Sequence, residues 1–551
     1  MSGMGLMLLV YLCTIIDEKG GTRLKKRYSI YAWFLLLVVG LWVLSVPGFA
    51  QGSEPVYGGT FSMAISDDPP LWPIKGGVFN LMPNKLIYEP LVKYDAVDLS
   101  LVGGLAESWE VSSDGLVWTF HLRDGVKWHD GAPFTADDVK FSFDTWMNPN
   151  IPYYLSGNVA GLSGVEVVDR LTVKVHAKQP LASFPALLAY NMNILPKHLL
   201  EGYSDEELAN PTEFLRNPIG TGPFKFDRKQ AGSYVRVVAN EEYWGGRPYL
   251  DAVVFKVIPD IDTQLAQLQA GDLDFVVIEP YQMAPLQGVK GLRVDEAPQV
   301  NHFYIDLNHY NPIFQDKSVR QALTYALDRQ AIIDNILMGT AKLATGPISP
   351  LLKWAYEPNV KQYPCDPAKA KQLLDAAGWL PGSDGVRQKD GHRLSFTIEV
   401  DPHPVRQQIA LVAQQAWQAV GCEVFLELYE YSVIVSHSRT ANPVFDANPN
   451  WLVTPADPDI STYYLTGSGG NTSKWSNPEV DELLMRGKAT LDQGKRAKIY
   501  SEIQEIIAEE APIIYLYYPQ EIRVFNDKVQ GFAPVGYRDA MVWAQNIWKS
   551  K

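Results

Sequence analysis

The chain has 551 residues, 46% of them hydrophobic, 12% aromatic and 20% charged, a globular composition that excludes disorder, collagen-like repeats and a multi-span membrane protein. Its 62 acidic against 48 basic residues give a net charge of −14, which excludes the basic footprint of a nucleic-acid binder. Length predicts roughly two to four domains, because single cores stop growing near ~250–300 residues, and three cysteines are too few for a disulfide scaffold.

In chain order, the first fifty residues differ in kind from the rest. Arg23, Lys25, Lys26 and Arg27 precede an apolar run at 30–44, then Pro47 and the small residues Gly48 and Ala50. That order is a secretory signal's charged, apolar and cleavage regions; an uncleaved anchor is the other reading, since the run is nearly long enough to span. With five basic and two acidic residues in this segment, the chain from Gln51 carries 43 basic and 60 acidic residues, net −17.

Leu116, Trp118, Phe120 and Leu122 alternate as a half-buried strand does. Asp114-Gly115, Asp124-Gly125 and Asp130-Gly131 are tight-turn dipeptides, and Thr135, through Asp138, is predicted to cap a helix over 136–146. Val319, Ala322, Leu323, Ala326 and Leu327 share one helix face, with Ser318 as the expected cap. Asp328 is expected to restart a helix that Gly339 stops, and Asp366-Pro367 and Asn477-Pro478 each place Pro at a first helical position. Ile499, Ile503, Ile506 and Ile507 make residues 495–510 amphipathic, ended by Pro512. Strands predicted at 394–400, 423–428 and 513–518 interleave with these helices, which is an α/β architecture.

No reaction centre stands out. The chain has no Gly-x-Ser-x-Gly elbow, no phosphate loop and no His-Glu-x-x-His. The nine His include no i, i+3 or i, i+4 pair that could hold a metal. Past residue 50 only Cys365 and Cys422 remain, and a disulfide and two thiols both fit. A large exported chain without a reaction centre points to binding.

Residues 105–143 read LAESWEVSSDGLVWTFHLRDGVKWHDGAPFTADDVKFSF. They resemble the signature of the extracytoplasmic solute-binding proteins of ABC importers, and more narrowly the peptide/nickel-type family of dipeptide and oligopeptide receptors. The likeness continues through NPIGTGPFKF (217–226), NEEYWGGRPYLDAVVFKVIPD (240–260), QLAQLQAGDLDF (264–275), VRQALTYALDRQAII (319–333), DPAKAKQLLDAAGW (366–379) and WSNPEVDELL (475–484).

The resemblance implies an α/β, two-lobed periplasmic-binding-protein fold of type II, with an extra subdomain and a ligand cleft between lobes joined by two hinge strands. It places lobe I at 51–94, 216–303 and 519–551, the subdomain at 95–215 and lobe II at 304–518. The extended apolar runs 302–307 and 513–518 are able to serve as hinge strands. The implied protein is no enzyme and carries no cofactor or metal. It is a monomeric receptor in the periplasm or on the outer face of the membrane, closing about a small solute and docking on a permease. A peptide is the expected solute; an oligosaccharide or other polar solute is the alternative, and a secreted hydrolase a remote one.

In peptide-binding relatives an Asp soon after a Trp meets the peptide's α-ammonium. Here Trp451 and Asp457-Pro458 fall in place, but Thr454 occupies the ammonium-binding position, and a neutral hydroxyl is a weak substitute for a charge. Tyr304, Tyr154, Tyr431 and Tyr517 lie in segments that line the cleft in the family. The expected ligand residues are therefore Trp451, Thr454, Asp457, Tyr304, Tyr154, Tyr431 and Tyr517.

Overall fold

A twelve-stranded mixed sheet runs through the molecule. The structure, a computed structural model, describes residues 54–75, 82–190, 192–534 and 540–551. The leader expected at 1–50 lies outside the described residues. Among the described residues no helix is long and apolar enough to cross a membrane.

One half of the sheet orders the strands Glu423–Leu428, Ser395–Val400, Ala447–Leu452 and His302–Leu307; the other orders Phe275–Ile278, Thr60–Ile65, Ala252–Val257, Tyr234–Ala239 and Phe224–Gln230. Between them lies Ile514–Asn526, a thirteen-residue strand more than twice as long as the run predicted from its apolar start. Its first part pairs antiparallel with His302–Leu307, through Ile305 opposite Ile514 and Phe303 opposite Tyr517. Its second part pairs with Leu292–Pro298 and Phe275–Ile278, through Pro298 opposite Gln520 and Ile278 opposite Ile522. The chain thus passes between the halves at 299–301 and around Pro519. The second passage lies inside the long strand, and the first is a three-residue connection between two strands that pair with it.

Local signals account for most helices. Asp366 accepts from Lys369 N–H and Asn477 from Glu479 N–H, opening Pro367–Ala376 and Pro478–Ala489. The helix Lys317–Ala326 starts earlier than expected, because Asp316, not Ser318, accepts the first N–H; a carboxylate is the stronger acceptor. Two arginines of the 319–333 motif serve backbone carbonyls. Arg320 donates to Glu510 O at 2.8 Å and Ala511 O at 3.1 Å, satisfying the end of Gln493–Glu510. Arg329 donates to Tyr515 O and Tyr363 O, both at 2.8 Å, tying its helix to the long strand.

Residues 106–177 form a four-stranded antiparallel sheet with the helix Ala136–Met147 packed on it. Trp118, Phe120 and Leu122 face inward as their alternation predicts, and Asp138 accepts from Thr135 N–H at 2.9 Å. His129 fastens this unit to the 217–226 motif: its Nδ1 accepts from Gly220 N–H and its Nε2–H donates to Gly222 O. A Cβ on Gly220 would lie 1.8 Å from the Ile87 carbonyl oxygen, so only glycine allows that approach. In the 240–260 motif, Tyr243 OH and Trp244 Nε1 donate to buried Glu89 at 2.6 and 2.8 Å, beside its ion pair with Lys93.

Three histidines are buried and neutral. Burial pushes His129 and His309 down to about 4 and His302 to about 3. Unfolded, each binds a proton below about 6.5, so stability is complete above that pH and is lost as pH falls toward 4. Burial raises Asp306 to about 7, and that carboxyl acts with the opposite sign between pH 4 and 7. At pH 5 these four groups leave a net uptake of about two protons on unfolding, or ~2.7 kcal/mol per pH unit. Urea midpoints between pH 7 and 5 are expected to fall accordingly, and His302→Leu to flatten the slope by about one proton.

Candidate functional site

Where the halves meet, antiparallel register sets three aromatic residues side by side. Phe303 lies opposite Trp451 on one neighbouring strand and opposite Tyr517 on the other, so all three share one face. Phe303 stacks on Tyr517 at 4.7 Å and 11°, and on Trp451 at 6.1 Å and 27°. Tyr431, from the helix Tyr431–Ser438, covers Trp451 at 5.0 Å and 22°. The Arg406 guanidinium lies 4.7 Å from the Trp451 ring centroid, a cation–π contact worth ~0.5–2 kcal/mol. Asp401 holds that guanidinium in a fork, with Nε to Oδ1 at 2.6 Å and a second bond through Nη2. The faces of Phe303 and Trp451 are therefore covered, and their edges remain.

This row walls a cavity of about 470 Å³. One side is Met82, Lys85, Val277, Ile278, Glu279, Pro280, Glu521 and Ile522; the other is Leu337, Thr340, Ala341, His403, Val405, Arg406 and Trp451. Gln299, Asn301, Pro519 and Gln520 come from the crossing segments. Glu279 reaches across to His403 Nε2 at 3.4 Å, linking the two sides. Burial, then the Glu279 charge, push the Tyr517 hydroxyl well above the usual tyrosine range.

The alternate side chains of the same strands are buried on the opposite face. Tyr515 and Tyr464 join hydroxyls at 2.5 Å, and Thr472 donates to Asp306 Oδ2 at 2.6 Å. Asn448, opposite Asp306 in register, has both amide atoms buried without a protein partner, as are both ring nitrogens of His302.

Of the seven expected ligand residues, the structure brings Trp451 and Tyr517 to the cavity wall and sets Tyr431 directly behind Trp451. Tyr304 faces away and packs beside His302 at 5.6 Å, because it is one residue from Phe303 and side chains alternate. Thr454 is buried outside the cavity lining. Tyr154 lies in the 106–177 unit, 5.7 Å from the Tyr153 ring. Asp457 lies outside the cavity lining: both its carboxylate oxygens are taken by Arg496, at 2.8 and 2.9 Å, and both residues are buried, so its charge is already paired. Sequence reading missed Phe303, Glu279, His403 and Arg406. Phe303 was visible as the alternate of Tyr304 in a strand; Glu279 sits just past a strand end, and His403 and Arg406 lie at the start of the helix Pro404–Ala419, where no periodicity marks them. Cys365 is exposed and Cys422 buried, and both are free thiols. Among the described residues no group of three His, Cys, Asp or Glu could hold a metal ion.

Comparison with known proteins extends the likeness over most of the chain. The family model for bacterial extracellular solute-binding proteins, family 5 Middle, matches residues 100–473. The oligopeptide-binding protein AppA of Bacillus subtilis is 34% identical over 454 residues, 81% of this chain and 83% of that one. The dipeptide-binding protein of Escherichia coli is 32% identical over 485 residues, 82% and 87%. The solved complex of AppA with a nonapeptide superposes with a TM-score of 0.76 at 32% identity, over 90% of this chain and 100% of that one. NikZ of Campylobacter jejuni, solved with Ni(L-His), reaches 0.77 at 29%, over 89% and 99%.

Asp457 distinguishes a structural from a ligand-contacting carboxylate. Asp457→Asn leaves the Arg496 guanidinium buried without its partner, which costs ~3–5 kcal/mol. Chemical denaturation without ligand is expected to show that loss, while the Kd for a bound peptide stays within about threefold.

Proposed function

The chain belongs to family 5 of the bacterial extracellular solute-binding proteins, and we propose that it is the receptor of an ABC importer that captures a peptide. Its fold is the two-lobed fold of that family. The observation that carries the reading is the cavity itself: its walls come from two halves of one sheet, between which the chain passes at 299–301 and around Pro519. A rotation about residues 299–301 and the neighbourhood of Pro519 opens or closes such a cavity. At about 470 Å³ it lies within the range of small-molecule sites, and it has their mix of apolar walls and a few polar groups.

A peptide fits this wall better than an oligosaccharide. Sugars pack their CH faces on open aromatic faces. Here Phe303 and Trp451 are stacked on both sides by other groups, so they offer ring edges. Edges carry the positive end of the ring quadrupole and suit carbonyl oxygens, which a peptide supplies at every residue. The permease is the partner, ATP hydrolysis belongs to separate subunits, and the receptor works outside the cytoplasm, in a periplasm or at the outer face of the membrane, as a monomer that catalyses no reaction.

Mixed peptides at a hundredfold excess over Kd are expected to stabilise the protein by about 2.7 kcal/mol, without product accumulating over hours, and oligosaccharides to leave its melting temperature unchanged. Trp451→Ala should weaken peptide binding at least tenfold by opening the wall. Turnover of the added peptide, or stabilisation by sugars alone, would reject the reading.

A further inference from the structure

Resting on the peptide-receptor reading, we propose that Glu279 supplies the charge partner for a cationic group of the ligand, the free α-ammonium of the peptide. An ammonium moved out of water needs a carboxylate close by. Thr454 provides none, and Asp457 is occupied by Arg496. The cavity wall holds two carboxylates, Glu279 and Glu521. Glu521 accepts from Arg523 Nε at 2.6 Å, and Asp401, just behind the wall, is forked by Arg406.

Glu279 differs from all of these. Among the described residues its only ion-pair neighbour is His403, at 3.4 Å on the opposite wall, and no Lys or Arg of the described residues pairs with it. The side chain is 42% exposed, within reach of a bound molecule. Its backbone is fixed: it follows the strand Phe275–Ile278, precedes Pro280, and its N–H donates to Gln282 Oε1 at 3.1 Å. Its charge is felt by the Tyr517 hydroxyl, which places it toward the aromatic row. A carboxylate held by a fixed backbone, facing a cavity and lacking a permanent cation is arranged to receive one. The charge then comes from the lobe opposite the one carrying Trp451 and Thr454, so an ammonium bound there draws Glu279 toward the second lobe and favours closure.

Calorimetric titration with a mixture of unmodified tripeptides, and with the same mixture N-acetylated, tests this. The expected result is that the wild-type protein binds the unmodified set at least tenfold more tightly, and that Glu279→Gln removes this preference by weakening the unmodified set alone. Glu279→Asp, which keeps the charge, should retain part of it. Equal wild-type affinity for both sets, or an undiminished preference in Glu279→Gln, overturns the assignment to Glu279 and leaves the receptor reading standing. Binding of neither set by the wild-type protein overturns both.

Discussion

Antiparallel pairing of one long strand with both halves of the sheet is the constraint on which the rest of this molecule depends. Ile514–Asn526 exchanges hydrogen bonds with His302–Leu307 at one end and with Leu292–Pro298 and Phe275–Ile278 at the other. A ladder is stiff along its strands and permits rotation where pairing partners change. Pro519, which donates no hydrogen bond, sits at that change. The register fixed by the ladder also sets which side chains meet: Phe303 between Trp451 and Tyr517 on one face, Tyr304 opposite Tyr515 on the other. A slip of one residue would exchange the two faces. The cavity wall is thus a consequence of strand register.

Buried arginines hold the elements around this junction in place. Arg320, Arg329 and Arg496 are each nearly inaccessible, yet they play different parts. Arg320 and Arg329 chiefly serve backbone carbonyls at a helix end and on the long strand, using the planar fork that lysine lacks. Arg496 serves a carboxylate, Asp457, and also Gly487 O at 3.1 Å. Such pairs add little net stability over apolar packing, but removing one partner strands a charge. Their effect is to fix where the second lobe's helices sit against the crossing strands, and hence the shape of the wall.

The interior charge is closely matched despite an acidic chain. Asp401 meets Arg406, Glu521 meets Arg523, and Glu89 meets Lys93. Asp306 forms no ion pair among the described residues; burial raises its carboxyl to about 7, and the Thr472 hydroxyl donates to it. Excess negative charge is left on the surface, where it favours solubility while its self-repulsion opposes the compact state.

The sequence by itself determined the class of the molecule and many of its local parts. Caps such as Asp366-Pro367 and Asn477-Pro478 act within a single turn, and the alternation of Trp118, Phe120 and Leu122 reports burial directly; the ordered motifs from 105 to 484 carried the family. The site was legible only in part. Trp451 and Tyr517 do line the cavity, whereas Asp457 is paired with Arg496, 39 residues away, and no local pattern marks a salt bridge of that separation. Tyr304 was chosen and Phe303 passed over because composition does not say which face of a strand looks into a cavity. Glu279 and His403, 124 positions apart in the chain, become neighbours at 3.4 Å only when the two halves of the sheet are paired. Local structure is set by interactions within a few residues, which a sequence displays; a cleft is set by long-range register and by which charges are already taken, which only the folded chain decides.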